Sequence, residues 1–234
     1  MLKYCPFPIK WFGDRNAYEK SRVRIITVAL NPSGKEYVKD SNGKYLRFPA
    51  YDGTAASLPQ AYNEYFDHHP YSWFNAFEHI LNGMNASYFK NKGKEFIAIH
   101  TDICTPWGTD PTWSQLNKAE QGELIKDGFP EWEKLVKDLK PNIILFSIPN
   151  AYIAMLGISL PLKPFVTFEK TKDGNIRKKP LVIQTGEYNG AECYFGKTWG
   201  VPFGGLGEKQ KNDLGKKIAK IAQAYGKQHG IKLP

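Results

Sequence analysis

Residues 22–34 read RVRIITVALNPSG, and the architecture turns on this stretch. From Arg22 to Leu30 the run is rich in β-branched residues and lacks polar alternation, which suits a strand buried on both faces. It stops at Asn31-Pro32-Ser33-Gly34. Proline has no amide hydrogen to continue a ladder, and asparagine, serine and glycine favour turns. A strand buried on both faces needs helices on both sides of its sheet.

The flanking sequence supplies them. Residues up to about Thr54 are polar and rich in Gly, Lys and Tyr. They read as a long loop, and long loops in compact domains are commonly functional. Helices are predicted over 55–66 and from Ser72, a suitable N-cap, to Leu81, with Phe74, Phe77 and Leu81 at helical spacing. Glu95–Asp102 predicts the next strand, which runs into a second irregular loop, Thr105–Pro111. Lys118–Leu139 predicts one or two helices, interrupted near Gly128-Phe129-Pro130. Asn142–Phe146 predicts a short buried strand, followed by a helix from about Asn150. Phe165–Gln184 predicts a hairpin around Asp173-Gly174-Asn175, and Glu192–Phe195 a last core strand. A long helix follows the loop 200–207. Leu214, Ile218, Ile221 and Tyr225 lie along one stripe of it, with Lys209, Lys216, Lys217 and Lys220 mostly elsewhere. Strands alternate with helices and no repeat or linker intervenes. The expectation is one domain over 1–234, an α/β protein built as a three-layer α/β/α sandwich around a mostly parallel sheet. In such sheets ligands bind outside the carboxyl ends of the strands. Three loops fit that place: 31–54, 101–112 and 199–207.

Composition agrees. A chain of 234 residues with 41% hydrophobic and 24% charged residues can bury one sizeable core. No apolar run reaches membrane-spanning length. Met1–Trp11 lacks the apolar core of a signal peptide, so a cytoplasmic protein without membrane association is expected, and a monomer. Cys5, Cys104 and Cys193 lie far apart and form no CxxC pair, against both a disulfide framework and a cysteine-only zinc site. His68 and His69 are adjacent and point apart. The expectation is no metal and no cofactor. The net charge of +9, carried mostly by lysine, favours a polyanionic partner. A solvated lysine face gives the same count.

Three motifs sit at the strand-end loops. Asn31-Pro32-Ser33 presents an amide and a hydroxyl to a pocket at the rim of the sheet. Thr101-Asp102 precedes Cys104-Thr105-Pro106. Trp199–Gly207 reads WGVPFGGLG ahead of a helix. In order and spacing these resemble the uracil-DNA glycosylase superfamily, nearest its mismatch-specific, thymine-DNA glycosylase-like branch. The first is similar to the family's Gly-x-Asn-Pro-Gly/Ser turn, with Ala29 where a glycine is usual. The second is similar to a Thr-Asn pair, with Asp102 in the place of the asparagine. The third stands where a His-Pro-Ser stretch is usual and lacks the histidine, with Val201 its nearest counterpart.

The resemblance implies roles. Asn31 would hold the water that attacks C1′ of the sugar, and Ser33 and Thr101 would flank the base. Asp102 would read the base edge and, as a second catalytic residue, would assist proton transfer if its pKa were raised. An asparagine amide both accepts and donates, as uracil requires, whereas a carboxylate accepts only and suits an exocyclic amino group. Protonated, it would also donate to a ring nitrogen. Phe48, or Tyr51, would stack on the flipped base. Lys35, Arg47 and the segment Pro202-Phe203-Gly204-Gly205-Leu206 would contact DNA, with Phe203 or Leu206 as the wedge that fills the vacated stack. Trp107 and Trp113 are candidate walls. Each has a plainer reading: a turn that caps itself at Asn31 or Asp102, core packing for the aromatics, a tight glycine turn before a helix, and for His100 a satisfied buried imidazole.

The function that follows is a DNA glycosylase. As the resemblance implies, it would flip a modified, cytosine-derived base out of DNA and hydrolyse the glycosidic bond to leave an abasic site, in repair or in defence against phage with modified DNA. Two alternatives stay open. One is a non-catalytic nucleic-acid-binding module of the same fold. The other is an enzyme acting on a small nucleotide-like substrate.

Overall fold

The computed structural model describes residues 3–157 and 162–228. In chain order the elements are β1 (Lys3–Tyr4), α1 (Arg15–Lys20), β2 (Ile25–Ala29), α2 (Leu58–Asn63), α3 (Asn75–Gly83), β3 (Ala86–Ser87), β4 (Phe96–Asp102), β5 (Thr109–Asp110), α4 (Lys118–Leu139), β6 (Ile143–Ser147), α5 (Asn150–Ile153), β7 (Lys163–Lys170), β8 (Ile176–Tyr188), β9 (Ala191–Gly196) and α6 (Glu208–Gln228). A seven-stranded sheet runs β3-β4-β2-β6-β9-β8-β7, and β1 pairs separately with β5. The pairings from β3 to β9 are parallel, whereas β8 and β7 are antiparallel additions at one edge. Every residue of β2 and β6 is buried, as the unalternating run at 22–30 requires.

Register assigns the faces. Val28 pairs with Thr101 and with Phe146, so these three share a face, and α4 covers it. There Trp132 of α4 donates to Thr101 Oγ1 at 3.0 Å and packs on Phe146. Thr27 pairs with His100 on the opposite face, where Phe74 and Phe77 at the start of α3 cover the imidazole. Helix α6 lies on α3. A Cβ on Gly83 would stand 2.1 Å from the Asn212 carbonyl oxygen, and one on Gly215 would stand 2.0 Å from that of Ile80. The two glycines are therefore what lets these helix backbones touch. Leu214 and Ile218 are buried along the α6 stripe. Ile221 and Tyr225 fall outside the residues whose side chains are described.

Two details depart from the expected elements. Helix α4 runs unbroken for 22 residues through Pro130. Pro130 and Lys126, whose carbonyl loses its partner, are both exposed, so the missing bond falls on the solvent side of the helix. Gly128 is there for a different reason: a Cβ would come within 2.2 Å of the Cys104 carbonyl, where α4 presses on the loop after β4. Ser72 does not cap α3, since residues 72–74 form a 3-10 turn leading into it. Among the described residues, no helix is long and apolar enough to cross a membrane.

Candidate functional site

The chain crosses over between β4 and β6, on opposite sides of β2, so the carboxyl ends of these strands diverge into a crevice. A cavity of about 460 Å³ occupies it. Asn31 and Ser33 follow β2, His100 and Asp102 end β4, Ser147 ends β6, and Thr198 and Gly200 follow β9. Phe12, Tyr71, Trp73, Phe74 and Trp113 form apolar walls. The ladder continues past the strands, Ile103 N–H donating to the Ala29 carbonyl and Cys104 N–H to Leu30, both at 2.9 Å. This brings the 103–112 loop beside the Asn31 turn.

Asn31 is held by its amide nitrogen, which donates to the Pro32 carbonyl at 2.9 Å and to Thr109 Oγ1 at 3.1 Å. Its Oδ1 has no partner among the described residues and is free to accept. The Asn31 turn thus caps itself, as the plainer reading has it, and still keeps an acceptor at the cavity. Ser33 caps the next turn, accepting from Lys35 N–H at 3.2 Å.

Asp102 is 6% exposed, and its Oδ1 is buried without a hydrogen-bond partner. The nearest candidate, His100 Nε2, lies 3.5 Å away, too far for a good hydrogen bond. Burial drives the Tyr88 phenol well above its ordinary range, so it keeps its proton. Its hydroxyl meets Thr27 Oγ1 at 2.5 Å, which in turn lies 2.7 Å from His100 Nδ1. If Tyr88 donates to Thr27, Thr27 donates to Nδ1, and the imidazole proton sits on Nε2, facing Asp102. His100 is therefore the satisfied buried imidazole that the plainer reading expects, with one edge turned to the cavity. Asp102 Oδ1 is thus turned toward His100 in the interior, and where the carboxylate borders the cavity it can accept from a donor on a ligand.

A second carboxylate, Glu36, faces the same cavity and lies outside the sequence-derived candidates. It sits in the 3-10 turn Gly34–Tyr37 and is 2% exposed. Burial raises its carboxyl to about 7; a bond from Tyr65 and the Arg47 guanidinium pull the other way, and the Asp102 charge adds to the rise. Tyr65 Oη donates to Oε2 at 2.5 Å, and Arg47 Nη1 lies 3.8 Å from the same oxygen. As the one acid among the residues between Asn31 and Asp40, Glu36 carried a faint signal. Nothing in the sequence indicated its burial.

Several expected site residues lie elsewhere. Phe48 is fully buried, its ring 5.3 Å from both Phe7 and Tyr65, and Tyr51 packs on Phe7 at 4.2 Å. The N-terminal segment slides under the 34–54 loop and turns both rings into core, so neither can stack on a ligand in the cavity. Thr101 points to the α4 face, away from the cavity. Arg47 is spent on the His69 and Lys35 carbonyls and on Glu36, while Lys35 lies on the cavity rim near the Tyr71 ring. Trp113 walls the cavity, its indole donating to Tyr152 Oη at 2.9 Å, whereas Trp107 does not line it.

The 199–207 loop is pinned rather than projecting. Phe203 is fully buried with φ +48°, its N–H donating to Ser147 Oγ at 3.0 Å. Its ring lies over Gly196, where a Cβ would stand 2.3 Å away. Pro202, Gly204 and Leu206 are buried as well, so neither Phe203 nor Leu206 can act as a wedge. Gly204 and the exposed Gly205 make room for Trp199: Cβ atoms there would lie 2.6 Å from its nitrogen and 2.8 Å from its Cζ3. Trp199 and Val201 are the exposed apolar side chains of this loop.

Burial raises all three thiols, Cys5 to about 11, which leaves no reactive thiolate among them. Among the described residues no cluster of His, Cys, Asp and Glu could hold a metal ion. The chain matches no protein-family model and no curated protein.

Proposed function

We propose that the chain is a DNA glycosylase of the uracil-DNA glycosylase type, a cytoplasmic monomer that hydrolyses the N-glycosidic bond of a base flipped into the strand-end cavity. One observation carries the reading: the free amide oxygen of Asn31 and the carboxylate of Asp102, whose buried Oδ1 has no hydrogen-bond partner, belong to residues that line one aromatic-walled cavity. The first suits a water molecule and the second a base edge. The base must leave the stack because its glycosidic carbon is unreachable inside a duplex.

In this mechanism Asn31 Oδ1 accepts from the attacking water and aims its oxygen at C1′. The new C–O bond forms as the C1′–N bond breaks, with the bonding pair leaving on the base. Glu36, whose carboxyl titrates near neutrality, takes the proton that the water loses. Asp102 accepts from the amino group of the base and fixes its orientation. Trp73 and Phe74 replace Phe48 as the rings against which the base lies. The leaving base takes its proton from solvent, and the product is an abasic site.

An acceptor-only reader favours an amino-bearing base over uracil, because O4 of uracil would be buried without a donor. A modified cytosine satisfies that chemistry. Excision of such a base serves defence against phage with modified DNA, and excision of a damaged one serves repair. The test is a panel of oligonucleotides and phage DNAs with cytosine, uracil and 5-substituted cytosines, scored for alkali-labile abasic sites. Release of a modified cytosine supports the proposal. Hydrolysis of free nucleotides with none in DNA replaces it with a small-molecule enzyme.

A further inference from the structure

A second cavity, of about 740 Å³, adjoins the first, with Trp73 lining both. It lies between the start of α3, the tip of the β7–β8 hairpin and the N-terminus of α6. Lys211 of α6 lines it and is 4% exposed. No hydrogen bond or ion pair engages its ammonium among the described residues. Unpaired ammonium groups are seldom buried, because desolvation disfavours the charged form. Burial lowers this one to about 8, with Glu208 opposing the shift.

The surroundings are cationic. Lys170, Lys172 and Lys209 stand exposed around the cavity. Among the described residues the only carboxylate lining it, Glu208, has its side chain 83% exposed and pairs with His79 at 3.5 Å. Helix α6 is 21 residues long, and its first-turn amides point the positive end of its dipole here. The hairpin is fastened over the cavity. Gln210 Nε2 donates to the Lys170 carbonyl at 3.0 Å, and Arg177 binds the Gly205 carbonyl. Lys172 abuts Gly207, where a Cβ would meet the Lys172 Cβ at 2.8 Å.

We propose that this cavity is a phosphate-binding site with Lys211 as its principal ligand. Resting on the glycosylase reading, the phosphate is a backbone diester of the strand whose base enters the neighbouring cavity. A partly desolvated ammonium, a helix N-terminus and flanking lysines are the chemistry that takes phosphate. The partition at Trp73, Gly200 and Val201 sets this site beside the base pocket, as one nucleotide strand demands.

Two probes test it: inorganic phosphate, and a labelled single-stranded oligonucleotide carrying a tetrahydrofuran abasic analogue. The variant is Lys211→Met, which keeps the apolar stem. Lysine side-chain NMR of the wild-type protein should show the Lys211 pKa rising on addition of phosphate. Lys211→Met should weaken oligonucleotide binding about tenfold and flatten the dependence of log K on log salt by about 0.7, the loss of one single-strand phosphate contact. A Lys211 signal indifferent to phosphate, with unchanged affinity and slope in the variant, overturns the site. If base excision is found but Lys211→Met binds as wild type, the site falls and the glycosylase stands. If no base is excised but Lys211 responds to phosphate, the site stands with a small phosphate compound as its ligand, and the glycosylase reading falls.

Discussion

Replacing Glu36 by glutamine should make the protein more stable, and only above the pH at which the carboxyl ionises. Burial lifts its folded-state pKa from 4.5 to about 7. The folded state thus holds this proton more tightly than the unfolded chain, and stability falls as pH rises from about 4.5 to about 7. At about pH 8 the difference of roughly 2.5 units corresponds to about 3 kcal/mol of destabilisation by the ionised group. Glutamine keeps the shape, and its Oε1 still accepts from Tyr65. Arg47 loses its anion but keeps the His69 and Lys35 carbonyls. Thermal unfolding of both proteins should therefore give a Glu36→Gln midpoint higher by roughly 6–12 °C at about pH 8. At about pH 5 the two should nearly coincide. Excision by the variant should be slow and lose the rise through neutrality that a base of this pKa confers. A variant less stable than wild type at about pH 8 would mean that Tyr65 and Arg47 outweigh the desolvation, and the argument from burial would be refuted.

Asn31→Ala should cut single-turnover excision by two orders of magnitude or more, in line with the several kcal/mol that positioning a reactant supplies, and leave oligonucleotide affinity nearly unchanged; full activity removes Asn31 from the mechanism. Asp102→Asn places a donor beside the buried acceptor and should bring uracil release, measured on uracil-containing oligonucleotides, while weakening release of the amino-bearing base. Gly196→Ala drives a Cβ into the Phe203 ring and should cost about 1–3 kcal/mol by denaturant titration. Because Phe203 anchors the 198–204 segment to Ser147, excision should fall with it, and an unchanged midpoint would show that the ring can move aside.

The parts of the fold that depend on strong periodic signals were legible. The unalternating 22–30 run, its sudden turn and the hairpin around Asp173-Gly174 all sit where they were expected. Strand-end reasoning also brought Asn31 and Asp102 to one cavity, because chain direction and sheet topology alone decide which loops meet there. Long-range packing was not legible. Phe48 looked like a ring in a functional loop until Phe7 and Tyr65 closed over it. Glu36 is unremarkable as a letter in a polar stretch, and only the fold makes it a buried acid. The glycines at 204 and 205 suggested close approach to a phosphate, yet the structure gives their space to Trp199. Lys211 was one lysine among many, and only the fold sets it beside the start of α3 and the tip of the β7–β8 hairpin.

The central claim is that the cavity holding Asn31 and Asp102 excises an amino-bearing base from DNA. Its most direct measurement is the appearance of abasic sites in duplex and single-stranded DNA carrying cytosine, uracil or 5-substituted cytosine, incubated with wild-type protein and with Asn31→Ala. The account predicts abasic sites at a modified cytosine, few at uracil or plain cytosine, and almost none with Asn31→Ala. Efficient release of uracil with none from any modified-cytosine DNA, or equal release by Asn31→Ala, would contradict it.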